Sequence, residues 1–126
     1  MTYPDLRGFL SDLGNDLLKV GQPFAPKHEM AALLREMPAN GPAVLFENVS
    51  DHPGARVVGN LVASRRRVAK ALDTTEAELN ATYLQRTRQG IAPRQSDDAP
   101  VKEVRHAGPL DIGSLLPVLT HYAGDG

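Results

Sequence analysis

Gly41-Pro-Ala-Val-Leu-Phe-Glu-Asn-Val49 decides the architecture of this chain. Its centre, Ala43-Val44-Leu45-Phe46, is apolar at successive positions and too short for a helix, which predicts a buried strand. Gly41-Pro42 punctuates the run in front. Asp51-His52-Pro53-Gly54 forms a turn behind it, where Pro presets φ and Gly supplies the left-handed option.

Upstream, Leu6, Phe9, Leu10, Leu13 and Leu17 recur at helical spacing from Pro4 onward, with Thr2 and Asp5 spaced as a capping box and Gly14-Asn15 as a stop. Leu17-Leu18-Lys19-Val20 reads as a short strand ended by Gly21 and Pro23. A second helix opens after Pro26 with Met30, Leu33, Leu34 and Met37 as its buried stripe, and Pro38 closes it.

Downstream, Arg56 to Val62 reads as a further strand in which Gly59 marks a bulge or a close backbone approach. Ser64 is placed to cap a helix with Val68, Ala69, Ala71 and Leu72 on one side and Arg65, Arg66, Arg67 and Lys70 on the rest. Thr75 and Glu78 form a second capping box, opening a helix through Leu79 and Tyr83 to about Arg88. Residues 89–100 read as a polar linker. Val101 to His106 alternates weakly, as in a strand, and Asp111 is placed to cap one helical turn before Pro117. The expected fold is α+β, a small α/β layer of short strands with about four helices. Its parts are a domain over 1–88, the linker 89–100, and a connecting segment over 101–126.

Composition narrows the function classes. The 126 residues fit one modest core, with 41% apolar and 5% aromatic residues. A net charge of −1 offers no global field for nucleic acid or an anionic membrane, so neither is an expected partner. With no Cys there are no disulfides, thiolate nucleophiles or Cys-based metal sites, which suits a reducing, cytoplasmic location. The N-terminus lacks the pattern of a signal peptide, and no apolar run approaches the roughly 20 residues that span a bilayer.

Chemistry-bearing motifs are sparse. Neither a phosphate-cradling glycine loop nor a Gly-x-Ser-x-Gly elbow occurs, and His28, His52, His106 and His121 lack the i, i+4 pairing of helical zinc sites. Glu76 and Glu78 fall in a first helical turn, where the helix dipole accounts for them. His121 and Asp125 are spaced for a carboxylate to hold an imidazole, or else lie in a flexible tail where the two never meet. Arg65, Arg66, Arg67 and Lys70 form a candidate partner-docking or anion-binding surface. The competing reading is a solvated helix face, since no aromatic residues interleave to stack bases.

Several segments together resemble the N-terminal domain of the UbiD family of prenylated-FMN-dependent decarboxylases. They are Leu6-Arg-Gly-Phe-Leu10, Leu17-Leu-Lys-Val20, Glu29-Met-Ala-Ala-Leu-Leu-Arg35, Gly41 to Val49, Val57-Val-Gly-Asn-Leu61 and Val68-Ala-Lys-Ala-Leu72. Pro100 to Val104 and Leu115 to Gly126 resemble the approach to that family's central domain. The resemblance implies reversible carboxy-lyase chemistry on aromatic or α,β-unsaturated acids, with prenylated FMN, Mn2+ and K+ as cofactors. It also implies a split-barrel domain and a C-terminal domain as partners, in cis or as a separate subunit. The family's catalytic and metal-binding residues fall in the central domain, so no catalytic, cofactor-binding or metal position is assigned here and no cofactor is expected on this chain alone. Three roles remain open: an N-terminal fragment or domain, a separately encoded small subunit, or a free-standing binding module that uses the Arg65–Lys70 face.

Overall fold

The computed structural model describes residues 3–88 and 90–125. Its elements run α1 (Leu6–Ser11), a 3-10 turn (Gly14–Asp16), β1 (Leu17–Val20), α2 (Glu29–Glu36), β2 (Ala43–Phe46), β3 (Val57–Gly59), α3 (Arg65–Ala71) and α4 (Leu79–Thr87). A 3-10 turn (Pro100–Lys102) and the one-turn helix α5 (Ile112–Leu115) follow. The expected α+β architecture is present, with the single turn α5 beyond the four longer helices. Among the described residues no strand covers Val101–His106. The 3-10 turn at Pro100 takes its first two positions, because Pro fixes φ near the helical value and has no N–H to give a ladder.

The strands form one sheet in the order β1-β2-β3. β1 runs parallel to β2, with Leu17 opposite Ala43 and Val20 opposite Phe46. β3 returns antiparallel, with Leu45 opposite Val58 and Phe46 opposite Val57. All four residues of β2 are buried, as its unbroken apolar run requires of a central strand.

Side chains alternate across the sheet, so each face has its own cluster. Val20, Val44 and Phe46 share one face with Met30 of α2 and with Val49, and Leu33, Leu34, Met37 and Val57 pack around them. Phe9 and Leu13 cover Ala43 on the other face. Gly59 allows α2 to settle closely: a Cβ at this position would lie 2.4 Å from Leu34 Cδ2. β3 stops there because Asn60 turns to φ 54°, ending the expected strand three residues short of Val62. Asn60 Nδ2 then donates to Leu34 O at 2.8 Å, tying the turn to α2.

Caps differ in detail from their expected form. Thr2 lies outside the described residues, and Asp5 is itself the N-cap of α1, its carboxylate accepting from Gly8 N at 2.8 Å. Ser64 holds the N-cap position of α3, but its buried side chain makes no capping bond. Thr75 Oγ1 accepts from Glu78 N at 3.3 Å and donates to the Glu78 carboxylate at 3.1 Å, closing a turn just ahead of α4. Arg86 donates to Leu72 O at 2.6 Å, placing a cation at the C-terminal end of α3.

The last described residues return to the body. Thr120 N donates to Pro26 O at 3.2 Å, and Thr120 O accepts from His28 N at 3.0 Å. His28 has φ 68° and ψ −38°, and Glu29 N bonds Lys27 O at 2.9 Å across it, a γ-turn that carries backbone strain. Leu119 packs against the core beside it.

Candidate functional site

The four cations singled out in the sequence are separated by the helix that carries them. Arg67 lies on the inward side of α3 and is 1% exposed. Its Nε donates to Leu61 O at 3.0 Å and its Nη2 to Asn60 O at 2.9 Å. Nη1 reaches Gly41 O at 2.8 Å and Asp16 Oδ1 at 3.0 Å. One guanidinium thus joins the turn after β3, the entry to β2 and the 3-10 turn before β1. Arg67 therefore cannot belong to a docking face. Burying an arginine requires a partner charge and acceptors for its fork of N–H groups, and this pocket supplies both.

Arg66 remains 65% exposed, yet its Nη2 pairs with the same Asp16 oxygen at 2.9 Å. Arg65 points the other way, toward α4, reaching Asn80 Oδ1 at 3.3 Å and Glu76 O at 3.4 Å. Lys70 Nζ contacts Asp12 Oδ2 at 2.9 Å and Asp12 O at 2.7 Å. Tyr3 donates its hydroxyl to the same Asp12 carboxylate. That bond raises the Tyr3 phenol to about 12. Asp12 is held below the usual carboxylate range, first by Tyr3 and then by Lys70.

Arg66, Arg67 and Lys70 therefore converge with Leu13, Asn15 and Asp16 around a cleft of about 380 Å³. Each cation already has an acidic or carbonyl partner from the chain. The arrangement fastens α3 to the segment between α1 and β1, while Arg66 keeps most of its side chain exposed. Sequence reasoning missed Asp16 and Asn60 as the residues that receive Arg67. The available signal was register: Ser64, Arg67 and Val68 lie on one stripe of a helix, which turns the middle arginine inward.

A larger groove of about 640 Å³ lies beside α1, on the sheet face that carries Leu17, Lys19, Leu45 and Val58. Arg7, Lys19 and Arg56 stand on its margin with Asp5 and Glu47, so its charge is mixed. At the C-terminal end, Asp125 does not hold the His121 ring. Its Oδ2 accepts from the main-chain N–H of His121 and Tyr122, each at 2.8 Å. These bonds, Tyr122's first, lower the Asp125 carboxyl. Arg35 lies over the Tyr122 ring, 5.8 Å from its centroid.

Among the described residues no three His, Asp or Glu side chains converge as metal ligands do. Arg66 and Arg67 share one carboxylate oxygen of Asp16, and Lys70 pairs with Asp12. No catalytic step is assigned to them.

The fold is thus a three-stranded layer whose loops are stapled by one buried arginine. Residues 12–87 match the 3-octaprenyl-4-hydroxybenzoate carboxy-lyase N-terminal domain, and the chain belongs to that UbiD family. It is 31% identical to a phenolic acid decarboxylase of Streptomyces sp. (strain D7), aligning over 100% of its own length and 29% of that enzyme's. It superposes on the UbiD-class enzyme HmfF of Pelotomaculum thermopropionicum, solved with prFMN, with a TM-score of 0.84. There the sequences are 28% identical, over 97% of this chain and 29% of HmfF. The vanillic acid decarboxylase of Sedimentibacter hydroxybenzoicus in its closed form gives a TM-score of 0.78 at 25% identity, over 100% of this chain and 29% of that one. The chain thus spans less than a third of the length of these relatives. No helix among the described residues is long and apolar enough to cross a membrane.

Proposed function

We propose that this chain is the N-terminal supporting domain of a UbiD-like carboxy-lyase acting on an aromatic or α,β-unsaturated carboxylic acid. The observation that carries this reading is its end-to-end alignment with 29% of a phenolic acid decarboxylase, joined to its superposition on HmfF. In this reading, residues 1–88 form the domain proper, 89–100 a linker, and 101–126 the connection toward a central split-barrel domain. Prenylated FMN, Mn2+ and K+ are then held by polypeptide outside these 126 residues, linked in cis or supplied as a separate subunit. The exposed Arg65 and Arg66 are candidates for docking that polypeptide. As a free-standing anion-binding module the chain is a poorer fit, because Arg67 and Lys70 are engaged internally.

The test is to purify the chain alone and together with the remaining domains of a family member, then record flavin absorbance and CO2 release. The expected outcome is neither signal from the chain alone and both from the combination. Decarboxylation by the isolated 126-residue chain would overturn the reading. Sequencing the open frame past codon 126 distinguishes a linked domain from a separate subunit.

A further inference from the structure

His52 sits in the turn between β2 and β3 with both imidazole nitrogens against main-chain carbonyls. Nδ1 lies 3.1 Å from Ser50 O, and Nε2 lies 2.9 Å from Gly113 O. A neutral imidazole has one N–H and one lone pair, so it can satisfy only one of two carbonyl oxygens. At the other it sets lone pair against lone pair. The imidazolium donates to both. One acceptor belongs to the histidine's own turn, while the other lies 61 residues away, within α5.

We infer that His52 is a protonation-dependent latch that holds α5 against the body of the domain.

Beyond α5 the chain is anchored independently, by Thr120 on Pro26 and His28 and by Leu119 against the core, so the His52 contact governs α5 itself. None of the four residues of α5 is buried, and Ile112 and Leu116 are 51% and 56% exposed. A charge-assisted hydrogen bond therefore holds a turn that its own apolar packing does not fix. One acidic group acts on the ring, Asp51 in its own turn; Asp111 is the N-cap of α5. The Asp111 carboxylate is occupied by Ser114, whose N–H and hydroxyl both donate to it and keep it ionised. Asp51 adds a smaller attraction for the cation. The carbonyl of Ser50 and then that of Gly113 raise His52 above its ordinary value near 6.5, against the opposing effect of burial. The sign follows directly: the latch is fully closed below about 6.5 and opens as pH rises through the raised value.

The test is amide hydrogen exchange on the full chain at several pH values, corrected for intrinsic rates, alongside NMR titration of the His52 ring. Leu115 N and Leu116 N, which bond within the α5 turn, report on the latch; Val44 and Phe46 in β2 report on the body. The expected result is a loss of protection in α5 of about threefold or more between pH 6 and 9, with β2 unchanged and His52 titrating above 6.5. In His52→Gln, which donates at one position at every pH, the α5 protection is flat across that range. A His52 titration at or below 6.5, an α5 protection that ignores pH in the wild type, or the same pH dependence in His52→Gln would each overturn the latch. Because the ring titration is read on the wild type, the inference stays testable if the variant folds poorly.

Discussion

In the body of the chain, Met30, Val44 and Phe46 are fully enclosed, while beyond the last turn of α4 Ile91 is 92% exposed, Val101 86% and Val104 73%. Both regions contain branched apolar side chains, and only the first has layers to cover them. The body gathers its layers around a charged group, since Arg67 reaches three separate loops through four acceptors. The segment after residue 90 is attached at points: His52 to Gly113, Thr120 to the strained turn at His28, and Leu119 against the core. Cohesion in the first region is shared among neighbours. In the second it depends on these individual contacts.

The sharpest way to break this contrast is Arg67→Ala. It leaves Asp16 without its buried partner and three carbonyl oxygens without donors, so the body should lose about 3–5 kcal/mol in urea denaturation. Arg67→Met should cost less than Arg67→Ala, because it keeps the volume of the stem. Gly59→Ala comes next. A methyl at 2.4 Å from Leu34 forces α2 outward or Leu34 into a poorer rotamer, for about 1–3 kcal/mol by the same measurement. A subtler probe is Asp12→Asn, which replaces the charged acceptor that raises Tyr3 with a neutral amide. The phenol should then titrate closer to 10, followed by ultraviolet absorbance. In the wild type, the depressed Asp12 carboxyl contributes stability at neutral pH that is lost as pH falls through its lowered value. Asp12→Asn should flatten that part of the acid limb. At the other end, Val101→Ser should change the stability of this chain by less than about 0.5 kcal/mol, since the side chain touches solvent. A large loss there would show the second region to be as cohesive as the first.

The same contrast explains what could be read from the residues alone. β2 was legible because four successive apolar residues between Gly-Pro and a turn fit few other structures. The α2 stripe was legible because Met30, Leu33, Leu34 and Met37 keep helical period, and Gly59 correctly marked a close approach. Arg67 was hidden inside Arg65-Arg66-Arg67, where composition describes a solvated face and burial depends on acceptors from three distant segments. Val101 to His106 had the right residue types for a strand, but Pro100 sets a 3-10 turn that takes its first two positions. For His121 and Asp125 neither sequence reading held: the carboxylate turned to main-chain N–H groups, which lie nearer and point at it. His52 was only a turn residue by composition, because its second carbonyl comes from far along the chain.

The sheet also bears on behaviour in solution. Among the described residues both of its outer strands are unpaired on one side, and such rows of free N–H and C=O groups are natural templates for another molecule's backbone. Here β1 is four residues long and β3 only three, and β1 carries the exposed Lys19. So short a ledge, interrupted by a charge, gives a second chain too little to grip, and the open sheet is guarded against growing into a fibre by its own brevity.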